Sequence, residues 1–129
     1  MNTRDQKVTN IRPSIPTIIE ASAISPEERF QNQTLRPILK MQNDLLVQIF
    51  KHYTIKRKGV FNKLSLTKRL DYIEHNVRKD LRFRNILIGS VIGYFTLEEW
   101  KSYSEYESEL RKRLVNMLVE RLKSQVEQI

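Results

Sequence analysis

The sequence predicts an all-α fold, and three observations carry that reading. Apolar residues recur at three- and four-residue steps through three long segments. Chain breakers are scarce: 129 residues hold three Gly and four Pro, and Pro13, Pro16 and Pro26 all precede residue 27. Each apolar segment opens on a helix-start signal, and no stretch alternates long enough to make a strand. The expected architecture is an up-down-up antiparallel bundle of three helices of about 30 residues, roughly 45 Å each. It counts as four helices if Pro37 or Gly89 breaks one. Residues 25–129 form the single helical domain, and residues 1–24 form an extended or disordered N-terminal arm.

The arm is rich in Thr, Ser, Asn and Pro, and Pro13 and Pro16 block a helix there. Its Ile15, Ile18, Ile19 and Ile24 are unusual for pure disorder and fit docking on the bundle or ordering on a partner. Residues 1–20 are expected to be dispensable for folding. The first helix starts at Ser25-Pro26-Glu27-Glu28, an N-cap, a first-turn proline and a capping box. Its stripe is Leu35, Ile38, Leu39, Leu45, Leu46, Ile49, Phe50 and Tyr53, with a kink expected one turn before Pro37 or a restart there. Gly59 is its natural stop. Ser65 caps the second helix, whose stripe runs Leu66, Leu70, Ile73, Val77, Leu81, Ile88 and Val91. Beyond Phe83 it is apolar nearly all round and should be the more buried half. Gly89 and Gly93 make a GxxxG, which in a water-soluble chain reads as close helix approach or a helix end. Thr96 and Glu99 form a capping box for the third helix, with Phe95 and Trp100 at the two positions of a hydrophobic staple. Tyr103, Leu110, Leu114, Met117, Leu118, Leu122 and Val126 continue its stripe.

The charge is localised. Residues 51–84 hold eleven Lys/Arg against three acids (Asp71, Glu74 and Asp80), which equals the +8 of the whole chain, while the remaining bases and acids cancel. A concentrated positive field attracts anions and speeds their encounter. Zero Cys excludes disulfides and thiolate chemistry and fits a reducing compartment, so the expected location is cytoplasmic. No apolar run reaches the roughly 20 residues of a bilayer span, so no membrane insertion is expected. Arg4, Asp5, Lys7 and Arg12 with no apolar run behind them do not make a signal peptide.

Three stretches, Phe30 to Lys40 (FQNQTLRPILK), Lys63 to Glu74 (KLSLTKRLDYIE) and Phe95 to Glu99 (FTLEE), resemble a small, mostly uncharacterised family of bacterial all-helical proteins. Some members of that family carry a glyoxalase label. The resemblance spans residues 27–123, implies a helical fold and brings no catalytic residues. The residues disagree with the label. Metal-chelating glyoxalases use paired βαβββ units with ligands on strands, and binuclear-zinc ones a His-rich loop motif. This chain has two His and neither pattern.

The second helix carries the strongest functional candidate. On an unbroken helical wheel with Leu66 at 0°, Lys68, Arg78, Lys79 and Arg82 fall between about 120° and 220°, with His75 among them, opposite the apolar stripe. Such a row fits a phosphate backbone, with Tyr72 and Phe83 flanking it as stacking platforms. The plainer explanation is a solvated face, with Asp71 and Glu74 pairing to His75 and Arg78. Lys56, Arg57 and Lys58 extend the anion-binding candidate, although cations in a last helical turn also complement the dipole. His52 and His75 are too few for a metal site, the carboxylates Glu98, Glu99, Glu105, Glu107 and Glu109 have no matching His set, and no catalytic or cofactor motif is present. The expected function is therefore a non-enzymatic module for an anionic macromolecule, either nucleic acid or an acidic protein. A protein-interaction or homo-oligomeric bundle is the alternative, and an enzyme the remote one. Finally, Arg84 falls inside the apolar stripe, and Glu107 lies level with it across the 95–96 turn. The two are expected to form a partly buried structural ion pair.

Overall fold

The computed structural model describes residues 2–14 and 24–129, and every regular element in them is helical. The chain runs α1 (Thr3–Asn10), α2 (Pro26–Phe30), a π-helical turn (Gln31–Leu35), α3 (Arg36–Lys56), a 3₁₀ turn (Val60–Lys63), α4 (Leu66–Lys79), α5 (Leu81–Ile92), α6 (Leu97–Glu105), α7 (Glu107–Ser124) and a last 3₁₀ turn (Val126–Gln128). No helix among the described residues is long and apolar enough to cross a membrane.

The helix starts follow the sequence signals. Ser25, Ser65 and Thr96 each accept a backbone N–H with the side-chain oxygen, from Glu28, Lys68 and Glu99 respectively. Only Thr96–Glu99 closes the reciprocal capping box. At Pro37 a π turn stands where a kink or a restart was expected. The proline ring has no N–H and would strike the carbonyl four residues back. The turn before it widens to π geometry, and the Arg36 N–H reaches Gln31 O. The helix passes through without a gap. Lys58 and Gly59 both take the left-handed conformation (φ 63° and 64°) and stop α3.

The second and third segments break where no Gly or Pro stands. Asp80 takes an extended conformation (φ −86°, ψ 97°), ending α4 and capping α5 through the Phe83 N–H. Tyr106 (φ −122°, ψ 34°) separates α6 from α7. Gly89 sits inside α5 and does not break it.

The core is one cluster built from α3, α4, α5 and α7 with Phe95 and Tyr103. α3 packs against α5 and α7, and α4 packs against α7. One end is aromatic: Phe50 contacts Tyr53, Phe61, Tyr72 and Phe83. Phe30, Phe95 and Tyr103 meet at a second aromatic contact. Phe61, which lies outside the periodic stripes, is fully buried. Leu45, Leu66 and Leu81 belong to the expected stripes and are half exposed or more, as is Ile86 in the segment expected to be the more buried. The staple does not close through its rings: Phe95 faces Phe30 and Tyr103, and Trp100 lies over Tyr103.

The arm needs correction. Residues 3–10 are helical, ahead of the prolines that block continuation. Asn2 caps α1 by accepting the Asp5 N–H. Arg4 donates to the carbonyls of Phe95 (2.7 Å) and Gly93 (2.8 Å), and the Asp5 carboxylate accepts the Leu97 N–H at the start of α6. Val8 is buried. Arg12 completes the clasp with two hydrogen bonds to Glu99 and one to Tyr94 O. A polar composition is compatible with an extended arm, but these charged groups find partners on α6 and the turn before it rather than in water. Ile15, Ile18 and Ile19 lie outside the described residues.

Candidate functional site

The basic region is built on three supports: the end of α3, the outer face of α4 and the first turn of α5. At the end of α3, Arg57 is held in place. Its guanidinium lies 3.7 Å from the centre of the Tyr53 ring and 2.7 Å from Asp80 Oδ2. Tyr53 is stacked on Phe83 at 3.8 Å and gives its hydroxyl proton to Asp80 (2.8 Å). Burial, reinforced by the Asp80 contact, pushes the Tyr53 hydroxyl far above its ordinary value, so it stays a donor. The Phe83 N–H, the Tyr53 hydroxyl and Arg57 hold the Asp80 carboxyl below the usual carboxylate range against the opposing effect of burial. Beside this knot, Lys56, Arg57, Arg82 and His52 line an open pocket of about 280 Å³ over Tyr53 and Phe83.

On α4, Ile73 and Val77 face the core, and Lys68, His75 and Lys79 are exposed on the opposite side. None of these three has an intramolecular side-chain partner among the described residues. Arg78 turns away, pairing with Glu74 (3.3 Å) and donating to Asn116 (2.9 Å) of α7. Lys123 also approaches Glu74 (3.5 Å). Arg69 is structural: it donates to the carbonyls of Leu64 and Asn62 and lies near the Phe61 ring.

Several expectations change here. Arg82 does not share the wheel of α4, because the extended Asp80 resets the helical phase; it sits exposed in the first turn of α5. The proposed platforms are closed. Phe83 is buried against Tyr53, and Tyr72 packs on Phe50 and Phe61 with its hydroxyl buried and unpartnered. The Arg84–Glu107 pair does not form. Arg84 donates to Arg78 O (3.1 Å), and Glu107 is exposed at the start of α7 with no ion pair among the described residues. The breaks at Asp80 and Tyr106 remove the register that unbroken helices would have given the two residues.

The helical wheel of residues 66–91 gave no sign of bases arriving from α7. Arg36, Lys112, Arg113 and Arg121 line a cleft of about 720 Å³ together with Glu109 and Glu120, so its charge is mixed. Burial, then neighbouring Arg36, lowers the Arg121 pKa. No group of three His, Cys, Asp or Glu that could hold a metal ion occurs among the described residues. Compared with protein-family models, curated proteins and solved structures, the chain matches none.

Proposed function

We propose that this chain is a non-enzymatic helical module that binds the phosphate backbone of a nucleic acid through the exposed bases of residues 51–84. The observation that carries this reading is an asymmetry of pairing. Two of the three acids in the region are consumed internally, Asp80 by Arg57 and Glu74 by Arg78 and Lys123. Lys56, Lys58, Lys63, Lys68, Lys79 and Arg82 are left exposed, without intramolecular side-chain partners among the described residues. Lys68 and Lys79 stand about 16 Å apart along one face of α4. With the aromatic rings closed, contact runs through charge and carries no base readout, so binding is expected to be indifferent to sequence.

The test is a salt titration of affinity for mixed-sequence duplex and single-stranded DNA. Four to six phosphate contacts predict a log–log slope of about −3 to −5. Reversing Lys79 and Arg82 together to Glu should abolish binding and leave the helical circular dichroism spectrum unchanged. Absence of binding at low salt, or an unchanged affinity in the double variant, would overturn the reading.

A further inference from the structure

Arg78, Arg84, Arg111 and Lys112 line one open pocket of about 370 Å³, with Ser108 and Val115 as the rest of its wall. It lies where the end of α4, the start of α5 and the first turns of α7 meet, and among the described residues no carboxylate lines it. Only Arg78 is neutralised, by Glu74. Arg84 gives one N–H to the Arg78 carbonyl, while its Nε is buried with no acceptor. Arg111 donates to the neutral Asn85 Oδ1 at 3.0 Å. Lys112 is exposed and has no side-chain partner among the described residues. Arg84, Arg111 and Lys112, none of them in an ion pair among the described residues, thus face one space. Glu109, three residues before Lys112 on α7, is engaged by Arg113, and Glu107, four residues before Arg111, does not line the pocket.

Like charges gathered around a pocket repel, and a buried charged donor without an acceptor is costly. A polyanion in the pocket relieves the repulsion through charge-assisted hydrogen bonds and offsets the charge of the Arg84 guanidinium. Its chemistry is narrowed by the walls. Among the described residues Val115 is the only apolar one in the lining and no aromatic ring is present, so they offer no platform for a base or a hydrophobic tail. A phosphate group carries about −1.5 to −2 charges at neutral pH, so two linked phosphates match Arg84, Arg111 and Lys112 better than one. The geometry points to this pocket as a binding site for a compact diphosphate. Lys68, Lys79 and Arg82 do not line it, so it stands apart from the polymer-binding surface.

Isothermal titration with inorganic pyrophosphate tests the assignment, at an ionic strength of about 0.15 M to screen the general field. Saturable 1:1 binding is expected. Arg111→Gln and Lys112→Gln should each weaken it by about tenfold or more, as loss of a charge-assisted hydrogen bond does. Arg84→Gln also removes the bond to Arg78 O and risks the fold; Lys112 is exposed and its variant avoids that risk. Lys68→Gln and Lys79→Gln should leave pyrophosphate binding unchanged. Absence of saturable binding overturns the site. So does equal weakening by the Lys68 and Lys79 variants, which would make the effect a general field. A nucleoside diphosphate binding more than tenfold tighter than pyrophosphate would overturn the compact ligand. Failure of DNA binding, by contrast, leaves the pyrophosphate result standing, so the two readings fail separately.

Discussion

Glu99 gathers partners from three segments onto one carboxylate. Arg12 donates twice (2.5 and 2.6 Å), the Thr34 hydroxyl once (2.9 Å) and the Thr96 N–H once (2.8 Å). Burial pushes this carboxyl up, but the Arg12, Thr96 and Thr34 hydrogen bonds outweigh it and hold the pKa below the ordinary value. A depressed folded-state value means stability that is fully present above the unfolded value, about 4.3 for Glu. That stability is lost as pH falls further, through the folded value. Glu99→Gln should therefore flatten the acid limb of stability against pH. It should also cost about 2–4 kcal/mol at neutral pH, because the Arg12 charge, only 10% exposed, loses its counterpart. Urea unfolding from pH 3 to 7 checks both outcomes. The half of this site made by Thr96 and Glu99 was legible in the sequence, because a capping box is local. Arg12 was not: nothing near residue 12 announces a partner 87 positions away.

Three helix starts share one layout, with a hydroxyl at the cap and a deciding residue three positions on. Glu28 and Glu99 occupy that position behind Ser25 and Thr96, but Lys68 occupies it behind Ser65. The Lys68 N–H is also the longest of the three cap contacts, 3.4 Å against 3.1 Å at the other two. A cation in the first turn opposes the helix dipole, and α4 has no acid there. Lys68→Glu should complete the box and stabilise the protein by about 0.5–1.5 kcal/mol, read as a higher urea midpoint at constant m. The same variant should weaken DNA binding. A stability loss, or unchanged affinity, would contradict the role given to this face. The wheel located Lys68, His75 and Lys79 on it because they share one continuous helix with Ile73 and Val77. It misplaced Arg82 and Arg84 because a single extended residue, Asp80, resets the phase for everything beyond. An Asp before an apolar run is a known N-cap signal, but apolar spacing continued smoothly across it and concealed the break.

Over the whole molecule, the helical class and most core positions followed from periodicity, which local propensity and burial enforce together. The breaks at Asp80 and Tyr106 and the docking of α1 depend on contacts between distant segments, which periodicity does not encode. The α1 clasp changes the expectation for the N-terminus. Removing residues 1–14 would strip Arg4, Asp5 and Arg12 from α6 and leave Glu99 without its cation. The melting temperature should fall by about 10 °C, the shift that a loss of roughly 2–3 kcal/mol implies for a domain of this size. Differential scanning calorimetry of the truncated chain decides it; an unchanged midpoint would mean the clasp contributes nothing.

The same clasp sets an order of events. Its bonds to Tyr94, Phe95, Leu97 and Glu99 span 82 to 92 positions. Eight mostly polar residues do not hold a helix alone, since nucleation outweighs what so few propagation steps return. Helix α1 therefore has nothing to form on until α6 has been seated by Phe95 and Tyr103. It is expected to condense late, after the expensive long loop has been closed by other contacts. In the reverse direction it is expected to open as a unit, since none of its residues belongs to the core cluster. Each such opening would hand the first turn of α6 back to solvent, so Asp5 and Leu97, 92 positions apart, would share a single lifetime.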